Sequence, residues 1–571
     1  MKGLWGYLKK YKWYTIFAPL FKLIESILEL LSPLLVAKII DIGVINKDFL
    51  FIGRYALIIL AVNVIALVFS ILGQKFSSKT SVGVSTDMRA DLYRKITSFS
   101  HTELDKFGTA SIINRMSNDI TQVENAISIC MRLLLRVPCL LIGAFILSLI
   151  INPIMSVIFL VLIPIVVVIL WIYMKKTSPH FKLVRDKLDA INRVTKENLS
   201  GTRVIRAFNK QQDEQKRFEA VTEDYSITSI HISKISALLQ PLVMLIVDAA
   251  IIAILYFGGV QVNVGGMTQG NVIALIDYVS MITISLLLMS HIIVMFVRTN
   301  ASLHRINEIM STVPVVDMSL DKRFKDLSYD ALMEFNNVYF NYSGDIKNVS
   351  FIKDLSFKIY PNQTIGIIGG TGSGKTTIAN LMTRFYDVTQ GEILYKGKNI
   401  KEYSLQQLRN EVSVVQQRST LFSGSLRENM QIRNANATDE EIIEALKISQ
   451  AWPFVSEWNN KLDHQIMAGG KNVSGGQMQR LTIARSIIGN PELLILDDSS
   501  SALDFLTDSK LRKALKTLNS TLVIISQRAT SIKNCDLIIV LDNGDVVGMG
   551  KHASLMKNCE IYKEIYESQA K

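Results

Sequence analysis

Long apolar segments alternate with polar connections before residue 310 of the 571-residue chain. Six of these segments reach or exceed the roughly 20 residues that a helix needs to cross the hydrocarbon core of a bilayer. They cover about residues 15–44, 51–74, 126–151, 154–174, 240–262 and 271–297. The pattern predicts an all-α transmembrane domain of six helices.

The connections between these segments differ in length and in charge. Short turns follow the first, third and fifth segments, whereas residues 75–125 and 175–239 form long polar connections without an early Pro or Gly cluster. We therefore expect the membrane helices to continue into these connections and to reverse at the glycine-containing tips 106–109 and 198–202. Lys and Arg are concentrated at the N-terminus and in the long connections, so both termini and these connections are expected to be cytoplasmic.

Four acidic residues interrupt the apolar segments at membrane depth: Glu25, Glu29, Asp248 and Asp277. Such groups are costly in a bilayer unless they face a cavity or a partner. The sequence leaves two interpretations open, a pocket that attracts cations or a structural role in ion pairs and at the interface. Arg132 and Arg136, one helical turn apart, are expected to extend their side chains toward the cytoplasmic headgroups.

Charge and cysteine content bear on nucleic-acid binding, metal binding and disulfide formation. The formal net charge is +12, but the basic residues lie where a cytoplasmic membrane face requires them, so no nucleic-acid partner is expected. The four cysteines show neither metal-binding nor disulfide spacing, which is typical of free thiols in a reducing compartment.

The second half of the chain has the pattern of a soluble α/β domain. A charged stretch within 313–330 reads as a linker between a transmembrane domain at 1–312 and a nucleotide-binding domain at 331–571. Residues 369–376 read G-x-x-x-x-G-K-T between a β-branched apolar run and a helical run, which predicts a phosphate-binding loop for ATP. The residues assigned to that loop and the start of its helix are Gly369, Gly370, Thr371, Gly372, Ser373, Gly374, Lys375, Thr376 and Thr377.

A second motif supplies ligands for Mg²⁺. Residues 493–496 form an apolar strand that ends at Asp497, as in a Walker B strand whose carboxylate holds Mg²⁺. The Thr376 hydroxyl is the second expected ligand. Together with Lys375, which would reach the β- and γ-phosphates, these residues predict a Mg²⁺-ATP site.

Residues 473–477, Val-Ser-Gly-Gly-Gln, resemble the signature motif of ATP-binding cassette (ABC) proteins, and six spans followed by one cassette resemble an ABC exporter half-transporter. The resemblance implies further roles. Tyr342 would stack on adenine, Gln417 would sense Mg²⁺ and the γ-phosphate, and residues 501–504, ending at Asp504, would form the D-loop. It also implies a dimer in which one chain's phosphate loop faces the partner's signature, formed here by Ser474, Gly475, Gly476 and Gln477.

Two positions depart from the family pattern. Asp498 stands where the family usually has the Glu that orients or deprotonates the attacking water, and Gln527 stands where it has the switch His. A carboxylate withdrawn by roughly 1 Å can cost on the order of 100-fold in rate, and Gln cannot carry a proton at neutral pH. The pattern resembles the subunit with the degenerate site in bacterial heterodimeric multidrug exporters; a slow homodimer is the alternative.

The resemblance therefore implies ATP-driven export of amphipathic small molecules across a bacterial cytoplasmic membrane by one subunit of a heterodimer. A lipid or peptide exporter is an alternative substrate class. A regulatory protein gated by ATP is an alternative of another kind. Six spans exclude a soluble ABC protein that acts on DNA or ribosomes.

Overall fold

The computed structural model describes residues 3–316, 322–324, 328–342, 351–499 and 503–570. Contacts between residues divide the chain into two units. Unit 1 contains Met1–Ile96 and Ala110–Thr312, and unit 2 contains Thr97–Thr109 and Val313–Lys571. A short internal segment, 97–109, thus belongs with the C-terminal part of the chain.

Residues 3–311 are largely α-helical, with two π-helical turns at Ile39–Val44 and Arg115–Asp119. The helices are α1 (Leu4–Lys10), α2 (Lys12–Lys38), α3 (Phe49–Thr97), α4 (His101–Phe107), α5 (Thr109–Asn114), α6 (Ile120–Leu133), α7 (Arg136–Ile151), α8 (Pro153–Ser200), α9 (Thr202–Ala207), α10 (Gln211–Ala237), α11 (Leu239–Asn263) and α12 (Gln269–Ser311). The tight turn before α8 has a local cause: Asn152 Oδ1 accepts hydrogen bonds from the Ile154 and Met155 N–H groups, and Pro153 occupies the first helical position.

Among the described residues, five helical stretches are long and apolar enough to cross a membrane. They are Phe49–Thr97, Thr109–Ile151, Pro153–Ser200, Gln211–Asn263 and Gln269–Ser311. The first predicted span, 15–44, is helical as α2 and the π-helical turn after it, but it is not among the five. Lys22, Glu25 and Glu29 interrupt its apolar sequence, so composition alone does not mark it as a span.

The predicted continuation of membrane helices beyond the bilayer is confirmed. Helix α3 has 49 residues and α8 has 48. At 1.5 Å per residue such a helix is about 72 Å long, more than twice the ~30 Å of the hydrocarbon core. The predicted tips follow these helices: Gly108 has a left-handed φ of 72° after α4, and Gly201 follows α8.

A network of charges joins α2 to α7 within unit 1. Glu25 pairs with Lys22 at 2.7 Å and with Arg136 at 2.9 Å, and Arg136 also reaches Glu29 at 2.9 Å. The expectation that Arg136 extends toward the headgroups was wrong, because both of its terminal nitrogens are held by these carboxylates. Lys22 and Glu25 are buried, and removing one partner of a buried pair leaves an uncompensated charge. The structural interpretation therefore holds for Glu25 and Glu29.

Unit 2 contains three β-sheets. Its strands are β1 (Met333–Phe340), β2 (Ile352–Ile359), β3 (Thr364–Gly369), β4 (Gln390–Tyr395), β5 (Lys398–Asn399), β6 (Val412–Val415), β7 (Gly424–Ser425), β8 (Gln465–Ile466), β9 (Leu493–Asp497), β10 (Thr521–Ile525), β11 (Leu537–Asp542) and β12 (Asp545–Gly550). The six-stranded sheet has the order β12-β11-β3-β10-β9-β6, and β1, β2, β4 and β5 form an antiparallel sheet in the order β2-β1-β4-β5. Strands β7 and β8 form the third sheet.

Where the structure describes this part of the chain, it also contains ten α-helices. They are α13 (Lys375–Met382), α14 (Leu405–Glu411), α15 (Leu426–Gln431), α16 (Asp439–Ile448), α17 (Trp452–Ser456), α18 (Gly475–Ile487), α19 (Phe505–Leu515), α20 (Ala529–Ile532), α21 (His552–Asn558) and α22 (Glu560–Ala570). The alternation confirms the α/β class expected for the soluble half.

The parallel part of the six-stranded sheet positions the site. Strand β10 pairs in parallel with β3 and with β9, so that Ile525 lies beside both Ile367 and Asp497. Because the carboxyl ends of parallel strands meet at one edge, the loops that follow β3, β9 and β10 lie together. These loops are the phosphate-binding loop, Asp498 and residues 526–528, which we call the switch loop.

Helix α4 packs within unit 2 although it lies between membrane helices in the chain. Its His101 ring stacks on Phe385 at 4.3 Å, and its Asp105 accepts a 2.5 Å hydrogen bond from the Tyr386 hydroxyl. The helix begins in a capping box formed by Ser100 and Glu103. The first predicted tip thus contacts the soluble half within unit 2.

Candidate active site

The loop between β3 and α13 has the backbone shape that phosphate binding requires. Gly372 and Gly374 adopt positive φ values of 81° and 101°, which L-residues rarely adopt. A Cβ at Gly369 would lie 2.2 Å from the Leu541 carbonyl oxygen, so that position also needs glycine. Gly370 has open space above its Cα. The glycines thus leave room for an anion close to the backbone.

Polar groups in the loop suit a triphosphate. The Lys375 ammonium donates to the Gly369 and Gly370 carbonyl oxygens at 2.9 and 2.6 Å. Burial lowers the pKa of Lys375, while the nearby carboxylates of Asp497 and Asp498 oppose that shift. In the described part of the chain, the buried Ser373 Oγ has no hydrogen-bond partner. A buried donor without a partner next to a lysine fits a phosphate group.

A cavity of about 280 Å³ opens beside this loop. It is lined by Tyr342, Phe351, Thr371, Gly372, Gly374, Lys375, Thr376, Thr377, Gln417, Asp497, Asp498 and Gln527. The structure therefore brings the predicted adenine, phosphate and magnesium residues of one chain to one cavity. Gly369, Gly370 and Ser373 belong to the loop itself, behind the lining.

An aromatic surface lies at one side of the cavity. The Tyr342 hydroxyl and Thr377 Oγ1 are 2.8 Å apart, and the Tyr342 ring packs edge-to-face with Phe351 and Tyr386. Tyr342 is 42% exposed. Held at its edges and its hydroxyl, the ring can offer a face to a planar base, as expected for adenine stacking.

The Mg²⁺ ligands expected from the sequence lie together. The Asp497 carboxylate is buried, and Asp497, Thr376 and Gln417 line the same cavity. Burial raises the pKa of Asp497, while the nearby Thr376 hydroxyl and the charge of Lys375 oppose the shift. Carboxylate, hydroxyl and amide oxygens are hard ligands, and Mg²⁺ in such sites is bound by one or two of them plus substrate phosphates.

Asp498 is held in an unusual conformation. Its φ is 46°, and its N–H donates to the Ile525 carbonyl oxygen at 2.9 Å. Burial raises the pKa of Asp498, while Lys375 and then Arg528 oppose the shift, followed by the nearby Gln527 backbone N–H and Gln417 side chain. The backbone of Asp498 is thus held against the end of β10, next to the switch loop.

The signature residues lie outside this cavity. Ser474 caps α18, accepting from the Gln477 N–H at 3.3 Å, and the Gln477 side chain accepts from the Ser474 N–H at 2.9 Å. Ser474 and Gly475 are exposed, Gly476 is half-buried, and no atom of this chain lies within 4 Å of a Cβ built at Gly475. The structure therefore separates the signature from the chain's own phosphate loop.

The last predicted motif is only partly described. Ser501 and Ala502 lie outside the described residues. Asp504 caps α19 by accepting a 2.9 Å hydrogen bond from the Thr507 N–H, a bond that lowers the pKa of this exposed carboxyl. Its predicted D-loop role stays a prediction.

Comparison with known proteins decides the family. The family "ABC transporter transmembrane region" matches residues 15–286, and the family "ABC transporter" matches residues 352–501. The Bacillus subtilis protein YfiB, an uncharacterized ABC transporter ATP-binding protein, is 33% identical over 100% of this chain and 98% of its own length. This chain belongs to the ABC transporter family.

Other relatives match this chain over nearly their whole length. The uncharacterized ABC transporter ATP-binding protein Rv1273c of Mycobacterium tuberculosis is 30% identical over 99% of this chain and 97% of its own. The putative ABC transporter ATP-binding protein MG014 of Mycoplasma genitalium is 31% identical over 97% and 96%. The ABC transporter described here is thus a membrane protein whose ATP-binding domain hydrolyses ATP, a reaction coupled to transport.

The structure adds two residues that the sequence motifs did not indicate. Phe351 joins the cavity lining of this ABC transporter. Gln569, on α22, holds the switch loop from behind: its Nε2 donates to the Gln527 carbonyl oxygen at 2.7 Å and its Oε1 accepts from the Ala529 N–H at 2.8 Å. Neither residue belongs to a motif, so no sequence signal identified them.

Proposed function

We propose that this chain is one subunit of a heterodimeric exporter that moves amphipathic small molecules across a bacterial cytoplasmic membrane. Its own ATP site binds nucleotide and hydrolyses it slowly, and its signature completes a faster site on the partner. One observation carries the proposal. Asp498 and Gln527 both line the cavity beside the phosphate loop, whereas an intact signature serine is exposed elsewhere.

The chemistry of the cavity supports slow hydrolysis. Asp498 lines the cavity, but its side chain is one methylene shorter than Glu, so its carboxylate extends less far toward an attacking water. An attacking water must lie within hydrogen-bond reach of the group that takes its proton. Gln527 can donate a hydrogen bond but cannot become a cation, so it gives less stabilisation to negative charge that develops on the γ-phosphate.

The position of Ser474 supports a shared site. It stands at the exposed N-terminus of α18, a helix of 13 residues. Helix N-termini present N–H groups and a positive dipole end to anions. A second chain is the natural source of that anion, because this chain's phosphate loop lines a different surface.

The membrane part is proposed to have six spans, with α2 as the first. The transmembrane family match begins at residue 15, within α2, which supports counting it with the five apolar helices. The proposed domains remain 1–312, a linker at 313–330, and 331–571. The positive-inside pattern places both termini and the ATP-binding domain in the cytoplasm.

The proposed substrate class rests on one groove of unit 1. A space of about 940 Å³ beside α11 is lined by Asp248 together with Met244, Leu245 and Ile252. Asp248 is exposed there. A carboxylate among apolar and polarizable side chains suits an amphipathic molecule, above all one that carries a positive charge.

The test compares the chain alone with the complex that it forms in its own cells. We expect affinity purification to recover a second six-span ABC chain in equal amount, with Glu after its Walker B Asp and a switch His. ATPase activity should be brisk and stimulated by lipophilic cations in the pair only. Brisk ATP turnover and solute transport by this chain alone, reconstituted in vesicles, would establish the homodimer instead.

A further inference from the structure

A second cavity of unit 2 is lined by basic side chains that the nucleotide site does not use. It has a volume of about 450 Å³ and lies between α19 and the residues that follow the switch loop. Arg512, Lys513 and Lys516 line it from α19, and Lys533 lines it from the end of α20. We call this cavity the basic pocket.

The charges around the basic pocket do not cancel. Arg512 pairs with Asp508 at 2.6 Å. Among the described residues, the ammonium groups of Lys513, Lys516 and Lys533 have no ion-pair partner. The nearby Asp536, whose carboxylate accepts a 2.8 Å hydrogen bond from a backbone N–H of β3, offsets one of these three positive charges. The pocket therefore retains an excess of positive charge.

Besides its cations, the basic pocket is lined by apolar and uncharged polar residues, and the Ser531 hydroxyl is one of the polar groups. Ser531 is 6% exposed, and within the described chain its buried Oγ makes no hydrogen bond. Burial raises the pKa of Cys535 to about 12, so this thiol is neutral at physiological pH and adds no negative charge. Leu515, Leu522 and Ile524 form the apolar part.

We propose that the basic pocket binds a small phosphorylated molecule that carries an apolar group. The phosphate oxygens would accept hydrogen bonds from the lysine ammonium groups and from the Ser531 hydroxyl. The apolar group would cover the leucine and isoleucine floor. The concave shape and volume suit a small ligand rather than a polymer, which would need a wide surface.

A ligand in the basic pocket would contact two elements of unit 2, α19 and α20. Helix α19 begins after Asp504, and α20 begins directly after the switch loop. The two elements already touch, because Arg512 Nη1 donates to the Thr530 carbonyl oxygen at 3.2 Å. A bound phosphate would add ionic contacts across the same junction.

The binding test uses the full-length chain in detergent, saturated with Mg²⁺ and a non-hydrolysable ATP analogue so that the phosphate loop is filled. Phenyl phosphate is the probe, and calorimetry measures its Kd. We expect the Kd to rise about tenfold in Lys516→Gln/Lys533→Gln, since this variant removes two of the ammonium groups that would donate charge-assisted hydrogen bonds to the phosphate. Lys510→Gln, on α19 but outside the pocket lining, is the matched control and should leave the Kd unchanged.

A second measurement locates the ligand. Phenyl phosphate should slow acetylation of Lys513, Lys516 and Lys533 and leave Lys510 unprotected, as read by mass spectrometry. The absence of saturable binding, an equal loss in the Lys510 variant, or equally tight binding of phenol would overturn the proposal. If inorganic phosphate binds as tightly as phenyl phosphate, the part of the proposal that requires an apolar group on the ligand is refuted. Because no step requires hydrolysis or a partner, failure here is distinct from failure of the proposed heterodimer.

Discussion

Lengthening one carboxylate side chain should restore hydrolysis at this chain's own ATP site. The change is Asp498→Glu. The wild-type residue lines the cavity, and its carboxylate lies near the Gln527 backbone N–H and the Gln417 side chain. One added methylene extends it by roughly 1 Å, and a misplacement of that size costs on the order of 100-fold in rate. In activation free energy this is about 2.7 kcal/mol.

The gain will be reduced by two features of the site. The φ of 46° at Asp498 suits Asp better than Glu, so backbone strain will offset part of the gain from the longer side chain. Gln527 still cannot accept a proton. We therefore expect Asp498→Glu to raise the rate by about tenfold and the double variant with Gln527→His to approach the full 100-fold.

The assay isolates this one site. The complex with the partner is purified with the partner's own catalytic carboxylate neutralised, and hydrolysis of limiting radiolabelled ATP is followed in a single turnover. Lys375→Ala supplies the background, and nucleotide binding is measured in parallel. Asp498→Asn should stay within about twofold of the wild-type rate, because the short carboxylate contributes little to catalysis. If Asp498→Glu binds ATP normally yet hydrolyses it no faster, the distance argument is refuted.

Three further changes test other parts of the site. Ser474→Ala should slow turnover of the pair at least about tenfold through loss of a charge-assisted hydrogen bond. Thr438→Ala, which removes an exposed N-cap from another helix, is the control and should not slow turnover. Equal effects of the two changes would mean that only helix capping was lost. Gln569→Ala, which removes two hydrogen bonds worth about 1 kcal/mol each, should slow single-turnover hydrolysis several-fold, and Ser568→Ala on the same helix should leave the rate unchanged. Burial, and then the Arg409 charge, lower the pKa of His101, so the docked segment favours the neutral ring. As pH falls, the undocked ring, with a pKa near 6.5, takes up a proton before the docked ring does. The stabilisation of the docked segment is therefore present above about pH 6.5 and is lost as pH falls. Hydrogen exchange of residues 101–107, corrected for intrinsic rates, should rise on acidification in wild type and not in His101→Phe.

The sequence predicted the parts of the fold and site that depend on local pattern. Spans were found from runs of apolar residues, and the phosphate loop from glycines and a lysine between a strand and a helix. Asp497 was identified because it ends an apolar strand. In each case the physical cause is local: either a run of apolar residues is buried or the backbone turns, and a few consecutive residues are enough to show it.

Features that depend on distant pairings could not be predicted. Arg136 is 111 positions from Glu25, so nothing near either residue shows that the two are paired. Gln569 follows Gln527 by 42 positions and belongs to no motif. The charges of α2 show the same limit: the partner that Arg136 provides for Glu25 and Glu29 lies on α7, and the sequence around α2 does not indicate it.

The contacts within unit 2 indicate which step of the ATP cycle reaches α4. The Tyr342 ring, at the proposed adenine position, packs against Tyr386 with ring centres 5.2 Å apart, and the Tyr386 hydroxyl donates to Asp105 on α4. On the same helix, Glu103 accepts a 3.0 Å hydrogen bond from the Val315 N–H. This route starts at the base of the nucleotide and passes through neither Asp498 nor the switch loop. Base stacking on Tyr342 would therefore act on α4 when ATP binds, whether or not it is hydrolysed. Under the slow hydrolysis proposed for this subunit, ATP binding alone would therefore still act on α4.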